Sequence, residues 1–282
     1  MKFNLGSLLH YTVLAPTTIV FNLQIIENQY QNICQEKLHF NPHFQFDEYT
    51  AIESNGTRYV RINAPAGKLE VYYEAAVELY PFYCDPNEIS EIPPSDLPME
   101  TLRYLYPSRY CQSDRLFGLV QSEFSHLYPG YSRVTAICNW IYEKVTYLSG
   151  SSDSQTSAYD TAMERKGVCR DFAHLGIALC RALNIPARFV STYAYKLNPP
   201  DFHACFEAYL GDRWYLFDPT RLVPLDGLVR IGTGRDAADV SFATFFGSVQ
   251  LEQMKIFVER LSEETRERQE NDGNQEMAIA IA

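Results

Sequence analysis

The sequence predicts an α+β protein in which a β-rich N-terminal domain precedes a domain that mixes helices and strands. Residues 1–83 contain short apolar and β-branched runs separated by turn residues such as Asn55-Gly56, which is typical of strands. From about residue 113 the apolar side chains recur every three or four positions, as in amphipathic helices. After Pro186 the alternation with a period of two returns, which indicates strands again.

Composition restricts the class of protein. The chain has 282 residues, of which 46% are hydrophobic, so it can bury one large core or two modest ones. A net charge of −11 without clustered lysine and arginine argues against a nucleic-acid partner, because such binding needs clustered positive charge. The apolar runs are too short for a membrane span, and the N-terminus makes a poor signal peptide. We therefore expect a cytoplasmic protein with no nucleic-acid or membrane partner.

The cysteines favour reduced thiols. There are seven, scattered along the chain, and none forms a C-x-x-C pair, so the spacing of a structural zinc site is missing. A disulfide framework is equally unsupported, which fits a cytosolic compartment. No acidic cluster has the spacing of a calcium loop. We predict neither a metal nor a cofactor.

The predicted domain boundaries follow composition. Residues 1–83 are expected to form an antiparallel β-sandwich or barrel, and the segment 84–112, which begins rich in proline and acid, is expected to be a linker. The mixed domain is predicted at 113–262. Its run 249–261 fits a strand or a helix, with a final strand favoured. Residues 263–282 are charged and then rich in alanine and isoleucine, so we expect a disordered tail.

Three helical segments are predicted at the start of the mixed domain. The stretches 113–124 and 132–145 each gather their apolar side chains on one face. A polar loop at 148–157 follows, and the short helical piece 158–166 leads to Gly167.

Cys169 begins the fourth predicted helix, 169–183. The helix is indicated by apolar residues at intervals of three and four, namely Phe172, Leu175, Leu179 and Leu183. In the first turn, unpaired N–H groups and the helix dipole stabilise a thiolate, and the same groups can hold an oxyanion. Gly167 would let backbone and substrate approach closely. Cys180, in mid-helix on the apolar side, is expected in the core. The position of Cys169 alone does not decide whether it is a nucleophile or a small side chain buried in the core.

A nucleophilic cysteine needs a base, and His203 is the favoured one. Four of the six histidines are expected to be solvated or packed: His10, His39, His43 and His126. His174 lies about 140° around the helix axis from Cys169, so a packing hydrogen bond is expected. His203 lies on a predicted strand, on the face opposite the apolar stripe, where it would be free to face a cleft.

A predicted hairpin brings Asp218 to His203. Gly211-Asp212 fits a two-residue loop, which pairs Leu210 with Arg213 and places Asp218 opposite Cys205, diagonal to His203. A four-residue loop keeps this parity, whereas a three-residue loop would turn the carboxylate to the other face. The residues thus favour a nucleophile, base and orienting carboxylate at Cys169, His203 and Asp218. The alternative interpretation is that Asp218 only forms a turn that ends the strand and that His203 is a surface residue.

Three segments resemble the bacterial transglutaminase-like superfamily, often labelled as cysteine proteases. They are "GVCRDFAHLGIALCRALNIPARFVS", "FHACFEAYLGDRWYLFDPT" and "GRDAADVSF". The likeness covers roughly 100–250, and residues 1–83 are similar to the N-terminal domain of that family. It implies an α+β papain-like core with a Cys-His-Asp triad. Cys169 matches the cysteine of G-V-C-x-D-F-A-H, His203 the histidine of H-A-x-x-E, and Asp218 the aspartate of F-D-P-T.

The chain departs from this family at Cys205. The family usually shows H-A-W where this sequence has His203-Ala204-Cys205, so the pocket would be wider or the thiol open to oxidation against Cys169. In "GRDAADVSF", Arg235 and Asp236 would shape the site mouth or, as favoured, brace the loop with a salt bridge.

Together these features predict thiol-dependent acyl transfer on a protein or peptide substrate. Hydrolysis is favoured because water is abundant. The alternatives are a crosslinking transglutaminase and a weakly active binding or assembly module that retains the fold. The oligomeric state is left open.

Overall fold

The computed structural model describes residues 1–261 and 277–281. The β-rich domain in it consists of two four-stranded antiparallel sheets. The first sheet contains β1 (Lys2–Val13), β3 (Gln31–Asn41), β6 (Gly67–Leu79) and β15 (Val249–Arg260), in the order β15-β1-β6-β3. The second contains β2 (Thr17–Phe21), β4 (Asp47–Ala51), β5 (Thr57–Ala64) and β14 (Ala243–Phe246), in the order β14-β2-β5-β4. Alternate residues of β6 are buried, as its sequence pattern predicts. Both sheets contribute to one apolar cluster, which includes Leu9, Ile19 and Ile62.

The last two strands of this domain come from beyond the mixed domain in the sequence. The strand predicted at 249–261 exists as β15, but it pairs with β1 along its length. β14 pairs in the same way with β2. The prediction that 249–261 closes the mixed domain was therefore wrong. Alternation of side chains identifies a strand, but it does not identify the strand's neighbour.

The mixed domain places four helices beside a third four-stranded antiparallel sheet. The helices are α1 (Phe117–Glu123), α2 (Tyr131–Lys144), α3 (Ala158–Glu164) and α4 (Cys169–Ala182). The sheet has the order β12-β11-β10-β13 and contains β10 (Ala187–Ala194), β11 (Phe202–Leu210), β12 (Arg213–Phe217) and β13 (Leu228–Gly234). A two-residue parallel pair, β8 (Thr146–Tyr147) and β9 (Lys166–Gly167), lies before α4.

Helix α4 packs closely on β11. A side chain at Gly176 would bring its Cβ to 2.5 Å from the Phe206 ring, so glycine permits this approach of helix and strand. The resulting apolar cluster also takes Val134, Ile137 and Ile141 from α2. The helix that carries Cys169 is thereby held rigidly against the strand that carries His203.

The segment 84–112, predicted as a linker, is packed against the mixed domain. It contains two short 3₁₀ helices, Pro86–Glu88 and Met99–Tyr104. The carbonyl of Ile89 accepts a hydrogen bond from the Tyr131 N–H, and Glu91 accepts one from Arg133 Nε at 2.8 Å. The start of α2 is thus tied to this segment.

The C-terminal residues correct the predicted tail. Of the range 263–282 that we expected to be disordered, residues 263–276 and 282 lie outside the described residues. Residues 278–280 form β16 (Ala278–Ala280), which pairs with β7 (Phe82–Cys84). Ala278 and Ala280, on one face of this strand, are fully buried, whereas Ile279 on the other face is half-buried. Within the described ranges 1–261 and 277–281, no helix is long and apolar enough to cross a membrane.

Candidate active site

Cys169 is the first residue of α4 and is partly exposed. Val168 before it is extended, and its N–H donates to Oδ2 of Asp171 at 2.9 Å. A Cβ on Gly167 would lie 2.7 Å from the Asp171 Cβ. Glycine is thus required here by the helix cap, in addition to any approach of substrate that the sequence suggested. The cap fixes the first turn and leaves the thiol reachable.

The loop 148–157 is held against this helix end by Arg170. Its guanidinium donates to Asp171 Oδ1 at 3.1 Å, to the Ser152 hydroxyl at 3.2 Å and to the Asp153 carbonyl at 2.8 Å. The polar loop predicted from composition is therefore anchored to the N-terminal end of α4.

The predicted hairpin is confirmed. Leu210 pairs with Arg213, and Gly211 and Asp212 have φ values of 51° and 61°. Positive φ at both central positions is the signature of the type I′ turn, which matches the twist of the flanking strands. Asp218 follows directly after β12.

The structure places His203 and Asp218 in direct contact. His203 Nε2 donates to Asp218 Oδ2 at 2.8 Å, and both side chains are buried. The other carboxylate oxygen, Oδ1, accepts from the Thr220 N–H at 2.9 Å and from the Thr220 hydroxyl at 2.7 Å. Thr220 therefore fixes the carboxylate, which in turn fixes the imidazole. Thr220 belongs to the F-D-P-T segment, but sequence reasoning gave it no role.

The surroundings of His203 favour the imidazolium ion. Burial lowers the pKa of this ring, but hydrogen bonding to Asp218 and to the Cys169 thiol, together with their charges, outweighs burial and raises the pKa to about 10. Because Nε2 is engaged by the carboxylate, Nδ1 is the ring atom available to the sulfur. A cysteine, a protonated histidine and a carboxylate can together form a thiolate–imidazolium pair.

The second face of β11 is buried, contrary to the expected open cleft. Glu207 on this face accepts from Arg188 Nε at 2.7 Å and also binds Arg230, and all three side chains are buried. Cys205 packs with Val190 and Leu216, among other apolar residues. Polar residues at alternate positions suggested a solvated face, but ion pairing lets them be buried. Burial raises the pKa of Cys205 well above its ordinary value, which disfavours its thiolate.

The remaining histidine and cysteine of α4 have packing roles, as predicted. His174 is buried, stacks on Tyr110 with 5.0 Å between ring centroids, and its Nε2 accepts from the Ala237 N–H at 3.1 Å. Burial lowers the pKa of His174 well below its ordinary value, so it stays neutral. Cys180 is fully buried, and burial raises the pKa of its thiol.

The "GRDAADVSF" loop is braced from within. Arg235 forms an ion pair with Asp239 at 3.0 Å, while Asp236 accepts from the N–H groups of Tyr110 and Ala238. This is the bracing role favoured from the sequence, although the salt bridge joins Arg235 to Asp239.

A cavity of about 470 Å³ adjoins Asp218 on the side of α2. Its walls come from α2, β12 and the C-terminal strand, and include Asn139, Phe217, Arg221, Asp226 and Ile279. Among residues 1–261 and 277–281, no group of three or more His, Cys, Asp or Glu side chains is arranged to hold a metal ion.

A helix that begins with cysteine and packs on an antiparallel sheet, behind a β-rich N-terminal domain, defines the α+β class of transglutaminase-like folds. Family models agree, since residues 120–219 match the transglutaminase-like superfamily and residues 1–99 match the bacterial transglutaminase N-terminal domain. The chain belongs to the transglutaminase-like superfamily, with the N-terminal domain of the bacterial members.

The relatives include one solved structure and several curated proteins. A crystal structure described as a "Putative Cysteine Protease" from Cytophaga hutchinsonii is 46% identical, with a TM-score of 0.93 over 99% of this chain and 97% of that one. An uncharacterized protein of Mycobacterium leprae is 30% identical over 146 residues, 49% of this chain and 52% of that protein. One of Mycobacterium tuberculosis is 35% identical over 115 residues, 36% of this chain and 37% of that protein. The matches thus span about half or less of these mycobacterial relatives.

Proposed function

We propose that this protein is a thiol-dependent acyl-transfer enzyme that hydrolyses peptide or glutamine-type amides through Cys169, His203 and Asp218. The observation that carries the proposal is the buried hydrogen bond of 2.8 Å between His203 and Asp218, beside a partly exposed cysteine at a helix N-terminus. The relative described as a cysteine protease supports hydrolysis over amine transfer.

The reaction begins with the Cys169 thiolate attacking the amide carbonyl carbon. A C–S bond forms and the carbonyl π electrons move to oxygen. When the intermediate collapses, the C–N bond breaks and the leaving nitrogen takes the proton from His203 Nδ1. Water then attacks the thioester and gives a proton to His203, and the C–S bond breaks to release the acid and regenerate the thiolate. Asp218 stays ionised and holds the imidazole in position.

The proposed setting follows from the same chemistry. The substrate is a protein or peptide in the cytoplasm, and the acyl transfer requires neither metal nor cofactor, because the sulfur, the imidazole and the helix N–H groups supply nucleophile, acid and anion stabilisation.

Acyl-donor profiling tests the proposal. A panel of fluorogenic peptide amides and glutamine peptides is incubated with wild type and with Cys169→Ala, each with and without added primary amine. We expect wild type to release carboxylic acid even with amine present, and Cys169→Ala to be inactive. Cys205→Ala is the matched control, since this buried thiol takes no part in the chemistry and its variant should retain turnover.

Other outcomes contradict the proposal in different ways. Amide products formed with the added amine in place of acid would indicate a crosslinking transglutaminase. Turnover that is absent for the whole panel would indicate a binding module that keeps the fold. Turnover that is equal in Cys169→Ala would show that the reaction does not depend on this thiol.

A further inference from the structure

Asp201 lies on the same side of the chain as His203, at the exposed start of β11. It directly precedes the strand, two positions before the histidine, and is itself exposed. Side chains alternate along an extended chain, and Phe202 between them packs against the apolar clusters of the β-rich domain. The side chains of Asp201 and His203 therefore point to the opposite side, which is the side of the triad.

The neighbours of Asp201 hold it in a fixed position. The ring of Phe202 stacks on Phe242, with 5.0 Å between centroids, and contacts Tyr193 at 5.3 Å. The Asp201 carboxylate itself accepts a hydrogen bond from the Phe202 N–H at 2.7 Å. Backbone and carboxylate are thus placed before any substrate arrives, which reduces the entropy cost of binding to them.

The Asp201 carboxylate has lost part of its hydration without gaining a cationic partner. Although the side chain reaches solvent, burial of part of the carboxyl group raises its pKa, whereas the Phe202 N–H and the positive charge of His203 lower it. Within residues 1–261 and 277–281, no lysine or arginine forms an ion pair with Asp201. A cation brought by a substrate would replace the lost hydration, and its attraction to a partly desolvated carboxylate is stronger than in open water.

The charges around the nucleophile also favour a cation. When the thiolate forms, it and the carboxylates of Asp218 and Asp201 outnumber the positive charge of His203. The field of Asp201 extends to Tyr147 as well: burial raises the pKa of this tyrosine to about 12, and the charges of Cys169 and Asp201 add to the rise. A cationic side chain close to Asp201 would reduce this excess of negative charge.

We propose that Asp201 determines specificity by binding a lysine or arginine side chain on the leaving-group side of the scissile amide. This inference rests on the proposed acyl transfer, which defines that side. His203 gives its proton to the leaving nitrogen, so the departing segment lies in front of its ring, next to Asp201. The substrate class is a peptide or protein with a cationic residue directly after the cleaved bond. Asp201 contributes binding and transfers no proton.

A matched series of peptides tests this preference. Three versions of the peptide amide that is cleaved fastest carry lysine, norleucine or glutamate directly after the cleaved bond. We expect wild-type kcat/KM to be about fivefold higher for the lysine than for the norleucine peptide, the magnitude of an ion pair near a protein surface, and lowest for the glutamate peptide. Asp201→Asn keeps an oxygen for the Phe202 N–H, so it should lose the preference and cleave the norleucine peptide at the wild-type rate. Asp201→Lys should favour the glutamate peptide.

A second experiment measures the same charge without turnover. Methanethiosulfonates that carry an ethylammonium or an ethylsulfonate group react with the Cys169 thiolate, form a mixed disulfide and release methanesulfinate. Asp201→Asn should lower the ratio of the cationic to the anionic rate at Cys169 about fivefold, and added salt should weaken the effect. Cys34, which is exposed, is the internal reference. Asp212→Asn is the matched control, because Asp212 is exposed beyond the other end of β11, and its ratio should equal that of wild type.

The alternatives give different results. If Asp201→Asn lowers kcat/KM equally for all three peptides, the carboxylate acts through His203 and our assignment is wrong. A lysine preference or a reagent ratio that is unchanged in Asp201→Asn would also overturn it. Turnover that is absent for every peptide, together with the expected change in reagent ratio, would contradict the proposed function and still support a cation-binding role for Asp201.

Discussion

Replacing Asp218 with asparagine removes the charge that keeps His203 protonated. The pKa of this histidine is about 10, against an ordinary value of 6.5, so the difference is about 3.5 pH units. At 1.36 kcal/mol per unit this corresponds to roughly 5 kcal/mol in favour of the imidazolium. Hydrogen bonding to Asp218 is the first of the contributions that raise this pKa, and burial opposes it. In Asp218→Asn, burial should prevail and the pKa of His203 should fall to 6.5 or below.

The assay is an NMR titration with labelled histidine between pH 5 and 11, in which His203→Gln assigns the resonance. We expect the neutral ring in Asp218→Asn to reduce kcat/KM at pH 7 by about 10²- to 10⁴-fold, since the thiolate loses its partner. Asp226→Asn is the matched control, because this carboxylate lines the same cavity but is bound by the Tyr83 hydroxyl at 3.2 Å. A wild-type His203 that titrates near 6.5, or a pKa unaltered in Asp218→Asn, would refute the reasoning.

Three other predictions concern the supports of the site. The pKa of His203 is higher in the folded than in the unfolded protein, so folding binds protons between about pH 6.5 and 10. The free energy of unfolding, measured by urea titration, should therefore fall as pH rises through this window. A rise of the unfolding free energy there would contradict the prediction. Thr220→Val removes the hydroxyl that donates to Asp218 at 2.7 Å, and kcat should fall about tenfold with little change in KM. Unchanged kinetics would show that the Thr220 backbone N–H alone holds the Asp218 carboxylate in place. Gly176→Ala places a methyl group against the Phe206 ring, so the free energy of unfolding measured in urea should fall by about 1 to 3 kcal/mol. An unchanged free energy of unfolding would contradict this prediction.

Much of the site was accessible from sequence because its geometry is local. The helix that begins at Cys169 follows from apolar periodicity, and the contact of His203 with Asp218 follows from a hairpin whose turn residues, Gly211 and Asp212, take positive φ. Each inference depends on residues within about one element of one another.

What could not be predicted depends on contacts between distant segments. β15 has a clear alternating pattern, but the sequence does not state that its neighbour is β1. The buried second face of β11 depends on Arg188 and Arg230 from two other strands meeting Glu207. Tyr147 lies next to the start of α4 only because β8 pairs with β9, with 18 residues between the two strands, and nothing local to a lone tyrosine indicates that pairing.

His203 is proposed to activate Cys169, and the alkylation rate of each cysteine tests this activation most directly. At pH 6.5 an ordinary thiol is only about 1% thiolate, so an ion-paired cysteine should react about tenfold or more faster with iodoacetamide. Peptide mapping by mass spectrometry separates Cys169 from Cys34, the exposed internal reference. We predict that Cys169 reacts fastest in wild type and slows to the rate of Cys34 or below in His203→Ala. Equal rates for Cys169 and Cys34 in wild type would contradict the account.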